Sequence, residues 1–133
     1  MKAINAKAQA VMDKLTQGLN KPGESRKVDN TQGAFMAVCV EQVAETYLGP
    51  IYSIAHYYQQ NGEPMRDPDM EFIRGFDSQY YPISFWQDGG IPRRDEVLDW
   101  EGDRIKGIRQ KLQEDLADFA NMWMRNIKEQ QGL

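Results

Sequence analysis

Ile4, Ala8, Val11, Met12, Leu15 and Leu19 recur at intervals of three and four. That spacing predicts a helix with one apolar face. Ala3, Ala6, Ala8 and Ala10 add helix propensity, and Gly18 with Pro22-Gly23 ends the element. Asn20 to Gly33 then holds one apolar side chain in fourteen residues, and reads as a loop or tether. The first helix is expected either to hang loosely or to dock on another subunit.

The period changes at Ala34. "AFMAVCVEQV", Ala34 to Val43, is apolar and β-rich and predicts a strand, although its tail also fits a helical continuation. "PIYSIAHYYQQ" predicts a second strand. Asn61-Gly62 follows it directly, which is a strong hairpin signal. Pro64 and Pro68 cannot donate to a ladder, so Glu63 to Asp69 is expected to be loop or edge. "MEFIRGF" and "YYPISFWQD" predict two further strands, with Pro82 marking an edge or a strand entry.

Ile105, Ile108, Leu112, Leu116, Phe119, Trp123 and Ile127 restore the helical interval. They predict one long amphipathic helix from about Trp100 to Gln130. The expected architecture is α+β: an antiparallel meander of three or four strands, flanked by an N-terminal helix and a long C-terminal amphipathic helix. Residues 1–33 read as a helix and polar linker, and 34–133 as a single domain.

A chain of 133 residues is long enough to bury a core without metal or disulfide support. Cys39 is the only cysteine, so no internal disulfide forms, and its apolar run suggests a small buried hydrophobe. One cysteine and one histidine exclude a Cys/His zinc framework. No apolar run reaches membrane-spanning length, and Lys2, Lys7 and Lys14 interrupt any leader-like segment. The expected compartment is the cytoplasm.

The net charge of −4 is unevenly spread. Residues 1–28 carry six basic and two acidic groups, while residues 29–72 carry one basic and seven acidic groups. The acidic middle would repel a phosphate backbone. Nucleic acid is therefore a disfavoured partner, even though Tyr80, Tyr81 and Trp86 with nearby arginines offer stacking surfaces for single strands.

Candidate chemistry gathers in "HYYQQNGEPMRDPDMEF". His56 shares a strand face with Tyr52, Ile54 and Tyr58, where a histidine usually packs and hydrogen-bonds. Asp67, Asp69 and Glu71 have the oxygen ligands that a divalent cation needs. The Pro-Asp pair is similar to the opening of a metal-dependent nuclease pattern, but the acid-x-lysine that should follow on the next strand is missing. Aspartates beside prolines also make turns. Gly89 to Asp103 lacks the Lys-Ser or Lys-Thr end of a phosphate loop. It reads as a solvated surface loop, with Trp100 pinning it to the core.

"SIAHYYQQNGEPMRDPDMEF" with "FANMWMRNIKEQQGL" resembles a family of uncharacterised small proteins carried by bacterial plasmids, phages and integrative elements. His56, Tyr57, Asn61, Gly62, Asp67, Pro68, Met70, Phe72, Trp123, Asn126, Ile127 and Gly132 match its pattern. Glu63, Asp69 and the paired Gln130-Gln131 depart from it. The resemblance covers about residues 35–133 and implies a mobile-element setting with no known activity.

The favoured reading is a non-enzymatic protein-interaction module, in one form an inhibitor of a host defence system. Its binding residues would be His56, Tyr58, Asn61, Glu63, Arg66, Asp67, Asp69 and Trp86, with Glu63 and Asp67 nearest the hairpin tip. No cofactor or metal is expected, and the partner would be another protein or a second copy met through the first helix. The rivals are a hydrolase or nuclease using His56 with Asp67, Asp69 and Glu71, and a single-strand-binding accessory protein.

Overall fold

The computed structural model describes residues 1–133. Helix α1 spans Ala6–Leu15 and begins at Asn5, whose side chain accepts a hydrogen bond from the Ala8 amide at 2.8 Å. Six strands follow: β1 Ser25–Val28, β2 Val38–Thr46, β3 Gly49–Gln60, β4 Glu63–Arg74, β5 Tyr80–Gln87 and β6 Arg93–Glu96. They form one antiparallel meander in chain order. A hairpin of β7 Leu98–Glu101 and β8 Arg104–Ile108 comes next. Helix α2, Gln110–Gln131, closes the chain and ends at Gly132 in the left-handed conformation.

The α+β class and both flanking helices are as expected, but the sheet has six strands rather than three or four. The two additional strands are its edges, and their sequences, Ser-Arg-Lys-Val and Arg-Arg-Asp-Glu, carry no apolar alternation. Short charged edges resist pairing with other chains, so they lack the pattern that marks a half-buried strand. β1 lies within the stretch expected to be a tether.

Two further expectations give way and a third holds in part. Glu63 to Asp69 belongs to β4 rather than to a loop, but Glu63 to Arg66 pair with β3 alone, before the β4–β5 ladder begins at Asp69, so this stretch is an edge. Pro64 is solvent-exposed at the strand start, and Pro68 falls where the β3–β4 register slips between Ala55 and Tyr57. A proline at a bulge forfeits no ladder bond. β5 is an inner strand, and Pro82 sits beside its own bulge, since Glu71 faces Ser84 while Phe72 faces Pro82. The last helix starts at Gln110, ten residues after Trp100. Ile105 and Ile108 lie on β8, and their three-residue spacing matches a helical interval by coincidence.

One hydrophobic cluster runs from Ile4 to Ile127. The helices cover one sheet face, which supplies Val38, Val40, Tyr52, Ile54, Met70, Phe72 and Phe85. The α2 stripe contributes Leu116, Ala120, Trp123, Met124 and Ile127. The first helix is docked rather than loose, because Ile4, Ala8, Val11, Met12 and Leu15 are buried within this chain. Each large side chain so buried contributes roughly 1.5–3 kcal/mol. The Tyr80 hydroxyl donates to Asp13 Oδ1 at 2.8 Å and meets Thr16 Oγ1 at 3.1 Å, tying α1 to the sheet.

Candidate interaction face

Opposite the helices, the register lines up two rows of side chains across the sheet. Ser25, Glu41, Ser53, Glu71, Ser84 and Glu96 are successive cross-strand partners, one from each of the six strands. Lys27, Cys39, Ala55, Asp69, Trp86 and Arg94 form the neighbouring row. Directly opposed like charges are destabilising. The alternation sets a serine between successive glutamates, which are then about 9–10 Å apart at two strand spacings. Cys39, expected inside the core, lies half-buried on this face, because its neighbours Val38 and Val40 take the inward positions.

The serines also serve the acids. Ser53 Oγ donates to Asp69 Oδ1 at 2.7 Å, and Ser84 Oγ donates to Glu71 Oε1 at 3.2 Å. Burial nevertheless pushes both carboxyls above their ordinary range. The serine bonds oppose that shift, while for Glu71 the charges of Asp69 and Glu96 add to it.

The β7–β8 hairpin turns this end of the face into a cleft of about 480 Å³. Val97 N–H donates to Ile83 O at 2.9 Å, and Ile105 N–H donates to the Tyr47 hydroxyl at 3.2 Å. Glu45, Glu71, Glu96 and Asp103 line the cleft together with Tyr47, Ile51, Ile83, Leu98 and Trp100, and no lysine or arginine is among the lining residues. Arg94 approaches Glu96 from outside at 3.3 Å, and the Arg104 guanidinium lies 4.6 Å from the Tyr47 ring centroid. Trp100 is thus a cleft wall, partly exposed, rather than a pin into the core.

Beside the cleft, the Trp86 ring is flanked by two guanidinium groups, Arg66 at 3.4 Å and Arg94 at 4.0 Å from the ring. Asp88 holds Arg66 through Nε at 2.8 Å, Nη2 at 3.0 Å and the backbone amide at 2.9 Å. Those bonds hold the Asp88 carboxyl below the usual range. A nucleobase stacking on Trp86 would have to displace an arginine. Of the other two expected stacking residues, Tyr80 is fully buried and Tyr81 is half-buried, its hydroxyl donating to Asp77.

The eight expected binding residues do not form one site. Arg66, Asp69 and Trp86 share the open face. His56 and Tyr58 point to the helix side: His56 is buried against Trp123, and the Tyr58 hydroxyl occupies space that a side chain at Gly89 would fill. Asn61 and Glu63 are exposed at the hairpin tip, and Asp67 is half-buried at the bulge. The expected tip surface of Glu63 and Asp67 is therefore divided between a solvated strand end and a bulge.

The set of His56, Asp69 and Glu71 is split across the sheet. Asp69 opposes Ala55, which neighbours His56, so the two side chains leave opposite faces. Asp67 is the acid whose charge acts on His56. Burial holds the imidazole below its ordinary pKa, and its Nε2 has no hydrogen-bond partner in the protein. No group of three or more His, Cys, Asp and Glu side chains is placed to share a metal ion.

Glu41, Glu45, Ser84, Glu96, Asp103, Tyr47 and Trp100 escaped the sequence reading as site residues. The one signal, carried by Glu41 and Ser84, is a small polar or acidic residue alternating with apolar ones in the inner strands. It points to a face without saying which residues become neighbours.

The family model described as a domain of unknown function, DUF6908, matches residues 6–133. The chain belongs to that family. The match includes α1, which the resemblance over about residues 35–133 did not reach. No curated protein and no solved structure matches the chain.

Proposed function

We propose that this member of the DUF6908 family is a non-enzymatic protein-interaction module whose helix-free sheet face receives a cationic segment of a partner protein. The observation that carries the reading is the cleft under the β7–β8 hairpin, where four carboxylates meet apolar and aromatic walls without a lining cation. Glu71 favours a cation twice. It is desolvated, so a positive charge would restore the stabilisation it has lost, and its like-charged neighbours raise the local negative potential. Tyr47 and Trp100 supply surfaces for the stem and head of an arginine or lysine. A phosphate backbone would be repelled here.

The wider setting we propose is a mobile genetic element, with the protein acting in the cytoplasm and occluding a component of host defence. Supporting this are the motif resemblance and the character of the face, which suits blocking rather than turnover. The test is calorimetric titration with short arginine- and lysine-containing peptides, using the native chain and Glu71→Gln with Glu96→Gln. Binding that weakens at least about tenfold in the variant, a difference of about 1.4 kcal/mol, is expected. Equal affinity in both proteins would refute the assignment.

A further inference from the structure

The opposite side of the molecule carries a second charged surface of the other sign. Helices α1 and α2 run side by side in the same direction, Lys2 meeting Asp118 and Asn5 meeting Asn121. Between them lies a groove of about 630 Å³, continued by a smaller hollow of about 350 Å³ that shares Lys7, Val11 and Lys128. Lys7 and Lys14 border it from α1, and Arg125 and Lys128 from α2. None of the four forms a salt bridge, and Glu129 is the only acid in the lining. In a chain of net charge −4, four unpaired cations on one groove are a local reversal.

Part of this has a local cause. Lys14 and Lys128 stand in the last turns of their helices, where a cation offsets the helix dipole. Lys7 and Arg125 stand away from those ends and have no such role. Beneath the charges the floor is apolar, formed by Ala8 and Val11 with the half-buried Leu133.

We propose that this groove is a docking site for an acidic peptide segment of a protein partner, bound through carboxylates on the four cations and an apolar side chain on the floor. Lys7 and Lys14 are seven residues apart on one helix, about 10.5 Å at 1.5 Å per residue. Acidic residues three apart share a face in a polyproline-II segment and span a similar distance, about 9 Å. A nucleic-acid backbone fits less well. Four cations release few counterions, and a chain of phosphates leaves the apolar floor unused. The surface is independent of the acidic cleft, so the module would present separate sites for a basic and an acidic segment.

The test uses fluorescence anisotropy with a short labelled peptide of repeated Glu-Leu-Ser. Its control is a single-stranded oligonucleotide of equal charge. The native chain is expected to bind the peptide. Lys7→Glu with Arg125→Glu should weaken binding at least about tenfold while leaving the melting temperature in place, since both side chains are exposed. A Lys-Leu-Ser peptide should then bind the reversed variant better than the native chain. Glu71→Gln should leave Glu-Leu-Ser binding unchanged, which separates failure here from failure of the cleft. The proposal is overturned if the native chain ignores the acidic peptide, if charge reversal does not weaken binding, or if the oligonucleotide binds more tightly through the same residues.

Discussion

The His56 imidazole meets the Trp123 indole edge to face, with ring centroids 5.4 Å apart and planes at 90°. This contact joins the middle of β3 to α2 and explains why the only histidine is buried. Such aromatic pairs contribute about 0.5–1.5 kcal/mol beyond area burial. Trp123 also lies 6.2 Å from Phe119, which is itself edge-on to Phe85 of β5. Trp123→Ala should therefore cost about 3–5 kcal/mol, and Leu116→Ala about 2–5 kcal/mol, measured by urea unfolding. An unchanged midpoint in either variant would contradict this packing.

His56 should also leave a mark on the pH dependence of stability. Burial lowers its folded pKa below 6.5, so the unfolded chain takes up the proton first as pH falls. Its stabilising contribution is present above about pH 6.5 and is lost as the solution acidifies below it. Denaturation midpoints of the native chain and of His56→Phe should differ in slope across that range. Imidazole shifts followed by NMR should show the ring titrating below the ordinary 6.5. A titration at or above 6.5 would remove the explanation.

Asp69 and Glu71 have the opposite linkage. Their folded pKa values lie above the ordinary 3.8 and 4.5, so the folded state holds these protons more tightly. Their contribution is fully favourable below the unfolded values and is lost as pH rises through the folded ones. Asp69→Asn and Glu71→Gln should accordingly raise the melting temperature near about pH 7, with the gain fading toward about pH 3. If the cleft takes a cation, Glu71→Gln should become more stable while binding the basic peptide less well. Loss of stability at neutral pH would show that the carboxylates are structural.

The β3–β4 turn tests the backbone. Asn61 has φ 53° and Gly62 φ 83°, both left-handed, as Asn-Gly requires in a two-residue hairpin loop. A side chain at Gly62 would meet no neighbour, so the penalty of a substitution is conformational alone. Gly62→Val should destabilise the protein by at least about 1–2 kcal/mol. A neutral result in thermal melts would argue against this turn.

Arg66 and Asp88 secure the far end of the open face and hold Arg66 against Trp86. Arg66→Met should release the Asp88 carboxyl, whose pKa is held down chiefly by that guanidinium, back toward 3.8. Carboxyl-detected NMR titration reads the shift directly, and Trp86 fluorescence should change as the ring loses a cation. An Asp88 pKa that stays low would place its stabilising partner elsewhere.

The chain's own periodicities determined both helices, the inner strands and the Asn61-Gly62 reversal. Those features rest on local geometry: an apolar stripe every three or four residues, alternation in strands, and a dipeptide tolerant of positive φ. The edge strands were illegible because a solvated edge needs no apolar alternation, and Arg93 to Glu96 spells a loop as readily as a strand. Ile105 and Ile108 misled because a three-residue interval on a short hairpin mimics one helical turn. Of the candidate site, the sequence delivered the acids but not their company. Asp69 and Glu71 are two residues apart and share a face by strand geometry alone. The union of Glu71 with Glu45, Glu96 and Asp103, and the separation of both acids from His56, depend on how distant segments pair. Only the register of six strands decides which residues become neighbours, because each strand specifies two faces and nothing local specifies its partner's alignment.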